Sequence, residues 1–70
     1  MSTWPARKAS RVLAALMRLG WRIKRRAGSH CILAREGWPD VVFAFHDAEE
    51  IGPRMLARLA RHTGLSPSDL

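Results

Sequence analysis

Glycine and proline divide this chain into short segments, and the spacing of apolar residues changes from one segment to the next. Before Gly20, apolar residues recur at intervals of three and four, which places them on one face of a helix. After Gly20 they alternate with polar residues or form short runs, as in β-strands, and helical spacing returns only after Gly52. The order of these patterns predicts a helix, three strands and a second helix.

Both helices are bounded by residues that favour helix ends. The first is predicted at residues 5–19, followed by Gly20, and the second begins at Gly52-Pro53 and ends near Thr63. Residues 66–69 predict one further short turn with a serine N-cap. Each long helix has a single apolar stripe, so we expect both to pack on one face of a sheet and to leave its other face open.

The strands are joined by turns short enough for consecutive strands to pair. We predict strands at residues 21–26, 30–35 and 41–45, with turns at residues 27–29 and 36–40. This arrangement is an antiparallel meander. The predicted fold class is therefore α+β, with the order α-β-β-β-α, and residues 1–70 are expected to form one domain.

Positive charge is concentrated in the first half of the chain. Residues 1–35 contain nine Arg or Lys and no acidic residue, whereas residues 36–70 contain three basic and six acidic residues. Such a field attracts polyanions, because each phosphate contact releases condensed counterions. A basic stretch alone is more often a solvated surface than a specific site, so charge by itself does not decide for nucleic-acid binding.

The remaining composition argues against several kinds of site. A single cysteine, Cys31, excludes an internal disulfide and any multi-cysteine metal site, and no two histidines stand at a short ligand spacing. No apolar run approaches the roughly 20 residues that span a bilayer, and the first residues lack the apolar stretch of a secretory signal. We expect a cytoplasmic protein with no metal, small-molecule cofactor or membrane partner.

The first predicted strand has a basic face. Trp21 and Ile23 are expected to face the core, and Trp21 to pack there against the end of the first helix. The residues that alternate with them, and are predicted to face outward, are Arg22, Lys24 and Arg26, with Arg25 interrupting the alternation.

The tripeptide Gly28-Ser29-His30 follows this basic strand and places an imidazole at the start of the next one. Glycine permits the backbone geometry of a tight turn, serine offers a hydroxyl, and an imidazole exchanges protons near neutral pH. Two strand orientations are open. If Cys31 and Leu33 point into the core, His30 faces outward with the basic groups; the opposite orientation buries it with Ile32 and Ala34, bonded to backbone.

These features together resemble the HicA family of bacterial and archaeal toxins, small ribonucleases with a fold like the double-stranded-RNA-binding domain. The resemblance covers almost the whole chain. It rests on the helix stop Leu19-Gly20-Trp21, the hairpin Gly28-Ser29-His30, the third strand leading to His46, and the helix running into Thr63-Gly64-Leu65-Ser66.

The resemblance implies the toxin of a type II toxin-antitoxin system, a slow endoribonuclease that cleaves mRNA without a metal. The family's catalytic histidine carries over to His30, as the general acid and base. The residues expected to bind RNA are Arg22, Lys24, Arg25, Arg26, Gly28 and Ser29. The second implied partner is a HicB-type antitoxin that covers the basic face and His30.

Several alternatives remain open. His46 is either a second proton carrier or a capping and surface group, and Trp38 is either an RNA or protein contact or packs over the sheet edge. A non-catalytic RNA-binding module of the same topology would share every charge-based feature. A protein-interaction domain whose basic face meets an acidic partner is the third alternative. Cleavage that depends on His30 separates the toxin from both.

Overall fold

The structure, a computed structural model, describes residues 3–70 of the chain. Its helices are α1 (Ala9–Arg18) and α2 (Pro53–Thr63), and its strands are β1 (Arg7–Lys8), β2 (Arg22–Ala27), β3 (His30–Arg35), β4 (Trp38–Ala44) and β5 (Glu50–Ile51). A short 3₁₀ helix covers Pro67–Asp69. The predicted order of helix, three strands and helix is confirmed, and the fold is α+β.

The central sheet is antiparallel and has the strand order β2-β3-β4. The strand at residues 30–35 has its predicted bounds, but β4 begins at Trp38, three residues before the predicted start at residue 41. The reason is that Glu36 and Gly37 alone form the turn, so that Trp38 already pairs with Arg35.

The first helix is shorter than predicted. Residues Arg7–Lys8 are extended and pair antiparallel with Glu50–Ile51, which lie between β4 and α2. The first amides of α1 are also bonded by that segment, since the N–H of Ala9 donates to the carbonyl of Glu49 at 2.8 Å and that of Ser10 to Asp47 at 3.2 Å. A helix starting at residue 5 was therefore wrong, because this distant strand takes the backbone bonds of residues 7 and 8.

The hydrophobic core lies between the two helices and one face of the sheet. Its buried members come from all of these elements and include Val12 and Leu16 of α1, Leu33 and Phe43 of the sheet, and Leu56 of α2. Both helices therefore cover the same face, and the opposite face of the sheet is open. No helix within residues 3–70 has the length and apolarity needed to cross a bilayer.

Trp21 connects the end of α1 to the end of α2. Its side chain is 2% exposed, and its indole N–H donates to the backbone carbonyl of Thr63 at 3.1 Å. Its ring meets the ring of Trp38 edge to face, with 5.8 Å between the centroids. The predicted core position of Trp21 is confirmed.

We expect Trp21→Phe to lower the free energy of unfolding by about 2–4 kcal/mol, because it removes the bond to the Thr63 carbonyl and part of a closely packed ring. The matched control is Trp38→Phe, which makes the same change in a ring that is 38% exposed. Urea unfolding followed by circular dichroism measures both. Equal losses in the two variants would contradict the special role of Trp21.

Candidate functional site

The hairpin between β2 and β3 positions His30, which is the first residue of β3. Ala27 pairs with His30, and the turn consists of Gly28 and Ser29. Gly28 has φ +61°, a value that costs glycine little and that the first turn position of a type II′ hairpin requires. The glycine of this tripeptide therefore permits a two-residue turn that places the imidazole at the start of β3, the central strand.

His30 lies on the open face of the sheet. Cys31 and Leu33 are buried beneath the helices, and His30, one residue away, is exposed. Its cross-strand neighbours, Ala27 and Ala44, are both small. Within residues 3–70 no hydrogen bond or ion pair holds its imidazole. The outward orientation is confirmed, and the buried orientation bonded to backbone is wrong.

A β-bulge divides the basic residues of β2 between the two faces. The register shifts between Ile23, which pairs with Leu33, and Arg25, which pairs with Ile32. Because a bulge adds one residue, it reverses the orientation of every residue after it. Arg25 therefore shares the open face with His30.

Arg26 consequently lies on the opposite side of the sheet. It pairs with Cys31, whose side chain is buried beneath the helices. The alternation predicted Arg26 on the outward face together with Arg22 and Lys24. For Arg26 this was wrong, because a period-two pattern does not show the bulge at Lys24. Arg22 pairs with Ala34, on the same face as His30.

Lys24 is bonded to an acidic residue on the open face. Its Nζ lies 2.8 Å from Oδ2 of Asp40, and both side chains are exposed. These two residues, with Arg25 and Ile32, line a shallow cavity of about 310 Å³. Since Asp40 offsets the charge of Lys24, Arg25 is the uncompensated cation of this cavity.

The open face also has an apolar centre. Val42 is 63% exposed and lies in the same cross-strand row as Ile32 and Arg25. Cations and His30 therefore surround a small apolar patch, a mixture that suits either nucleic acid or a partner protein.

His46 lines a cavity that His30 does not line. It follows β4, is exposed, and its backbone N–H donates to Oε1 of Glu49 at 3.3 Å. The cavity has a volume of about 360 Å³, and His46 lines it together with Arg26, Gly28 and Ser29. The cavity thus brings His46 beside the hairpin turn at Gly28 and Ser29.

Trp38 packs against the body of the protein. It was predicted in an exposed turn, but it is the first residue of β4 and its ring contacts Trp21. The guanidinium carbon of Arg35 lies 5.4 Å from the centroid of its ring. Gly64 approaches the same ring so closely that a Cβ there would lie 3.0 Å from it. Of the two interpretations of Trp38, packing over the sheet edge accounts for these contacts.

The described residues contain no group of three His, Cys, Asp or Glu side chains that could hold a metal ion. Cys31 is free and buried, with its side chain in the core.

A protein-family model matches most of this chain. The model describes the HicA toxin of bacterial toxin-antitoxin systems. It matches residues 9–65, from the first residue of α1 to just beyond α2. No curated protein matches the sequence.

We expect Asp40→Asn to strengthen binding of single-stranded RNA about three- to tenfold at low salt, because it removes a negative charge from the open face and releases Lys24. Glu36→Gln is the control, since it makes the same charge change in the turn at the far end of β3. Fluorescence anisotropy at several salt concentrations measures both. Equal effects would show that only net charge matters.

Proposed function

This chain belongs to the HicA toxin family of bacterial toxin-antitoxin systems, and on that premise we propose that it is a ribonuclease that cleaves mRNA, with His30 as its catalytic group. The observation that carries the proposal is the exposed imidazole of His30 on the open face of the sheet, together with Arg22, Lys24 and Arg25. A proton-transfer group beside phosphate-binding cations is what cleavage of an RNA strand needs.

The proposed reaction uses a nucleophile that belongs to the RNA. The imidazole of His30 accepts the proton of a ribose 2′-hydroxyl while O2′ attacks the adjacent phosphorus. The bond from phosphorus to O5′ breaks, and O5′ takes the proton back from the imidazolium. The products are a 2′,3′-cyclic phosphate and a 5′-hydroxyl, and the proton taken from O2′ is the one returned to O5′. One group must serve both oxygens in turn, which predicts a slow enzyme.

The cations of the open face would hold the phosphate and stabilise its developing charge. Arg25 pairs with Ile32, two residues along β3 from His30 and on the same face, so its row lies about 7 Å from that of His30. An Arg side chain extends over that distance and binds phosphate in bidentate fashion. Lys24 would supply a second cation once it leaves Asp40 and binds phosphate instead. Its ion pair with Asp40 is exposed, and exposed ion pairs are weak.

An antitoxin of the HicB type would inhibit the enzyme by covering this same face. The apolar centre at Ile32 and Val42 supports this, since a partner that buries it would also cover His30. Complementary acidic groups on the partner would meet the surrounding arginines.

We expect His30→Gln to reduce cleavage of a labelled single-stranded RNA at least 100-fold, because glutamine cannot exchange a proton. RNA binding should stay within about twofold of the wild-type value, since the cations remain. The control is His62→Gln, which changes an exposed histidine on α2 and should cleave normally. The assay is run in chelator with the free chain, and products are tested for the cyclic phosphate; an RNA with a 2′-deoxy residue at the cleaved position should resist.

Two other results would replace this proposal. Strong, salt-sensitive RNA binding with no cleavage by the wild type would indicate a non-catalytic RNA-binding module. Weak RNA binding with little dependence on salt would indicate a protein-interaction domain.

A further inference from the structure

The cavity of about 360 Å³ on the helix side of the hairpin has the composition of a ligand site. Its apolar lining includes Phe43 and Phe45, whose rings meet edge to face with 5.0 Å between centroids. Phe45 is only half-buried, so part of its ring is accessible. A small cavity with aromatic lining and a few convergent polar groups is typical of a site for one ring system.

The polar lining brings a cation and a carboxylate together without pairing them. Arg26 and Asp47 both line the cavity, with Ser29 and His46. Among residues 3–70, neither the Arg26 guanidinium nor the Asp47 carboxylate has an ion-pair or hydrogen-bond partner. The cavity therefore offers donors and acceptors at once.

Hydrogen bonds to the first residues of α1 hold the segment that carries His46 and Asp47. The backbone carbonyl of Asp47 accepts a bond from Ser10, and that of Glu49 accepts one from Ala9. The Glu49 side chain in turn accepts from the N–H of His46. The segment that carries His46 and Asp47 is thus tied to the start of α1, which gives the cavity a defined edge.

We propose that this cavity binds one unstacked base of the RNA strand and that it favours guanine. The proposal rests on the proposed ribonuclease function and adds its base preference. A carboxylate only accepts hydrogen bonds, and guanine offers it two adjacent N–H donors, at N1 and N2. The guanidinium of Arg26 offers donors to the acceptors O6 and N7, a pairing that Arg commonly makes with guanine. The accessible ring of Phe45 supplies a stacking surface.

The hairpin turn connects this cavity to His30. Gly28 and Ser29 line the cavity, and the next residue, His30, faces the opposite side of the sheet. A strand that crosses the tip of the hairpin would place a base on one side and a neighbouring phosphodiester on the other. Recognition of the base then selects which phosphodiester reaches the imidazole.

The first test measures binding without cleavage. The probes are the four ribonucleoside 5′-monophosphates, titrated into the isotope-labelled chain and followed by amide chemical shifts. We expect guanosine monophosphate to bind at least about fivefold more tightly than the other three, with shifts at the residues that line the cavity. Asp47→Asn should abolish this preference, and Glu50→Gln, the same charge change on β5 outside the cavity, should retain it. Equal binding of all four nucleotides, or shifts confined to other surfaces, would overturn the proposal.

The second test maps cleavage positions in an RNA of mixed sequence. The wild type and Glu50→Gln should cut at a constant position relative to guanine, whereas Asp47→Asn should cut without regard to guanine. Cleavage by the wild type with no base preference, together with equal nucleotide binding, would refute the pocket and leave the ribonuclease intact. Selective binding of guanosine monophosphate with no cleavage of any RNA would refute the ribonuclease and leave the pocket.

Discussion

The fold depends on Trp21, because this one residue completes the ends of both helices. Its backbone N–H donates to the carbonyl of Leu16 in the last turn of α1, and its indole N–H donates to the carbonyl of Thr63, the last residue of α2. Carbonyls at helix ends lack intrahelical partners, and burying them without donors is costly. Since β2 begins at the next residue, the same bonds also determine where the sheet starts relative to both helices.

The composition of the open face depends on a single extra residue in β2. Without the bulge, Arg26 would lie on the side of His30 and Arg25 beneath the helices; with it, the two exchange sides. The bulge thus gives each side of the hairpin its own arginine. Arg25 lies on the face where we propose phosphate binding, and Arg26 lines the cavity where we propose base binding.

The fold and part of the site could be predicted from local pattern. Helical spacing and alternation report which residues a segment buries, so the order of elements, the bounds of β3 and the end of α2 at Thr63 follow from neighbouring residues alone. The outward position of His30 was left open by the sequence, because both alternating sets of β3 are apolar, Cys31 with Leu33 and Ile32 with Ala34. The burial of Cys31 and Leu33 beneath the helices decided it. The pairing of β1 with β5 could not be predicted from local pattern, because each is two residues long and has its partner far along the chain.

The sequence by itself determined the α+β order, the concentration of positive charge in the first half and the hairpin that presents His30. These are local properties, governed by side-chain periodicity, turn residues and formal charge. Only the tertiary structure decided which cations share a face with His30, that Asp40 neutralises Lys24, and that His46 and Asp47 meet the hairpin turn around a cavity. Those relations depend on strand register and on contacts between distant segments, which arise only when the core packs and the bulge reverses the orientation of β2.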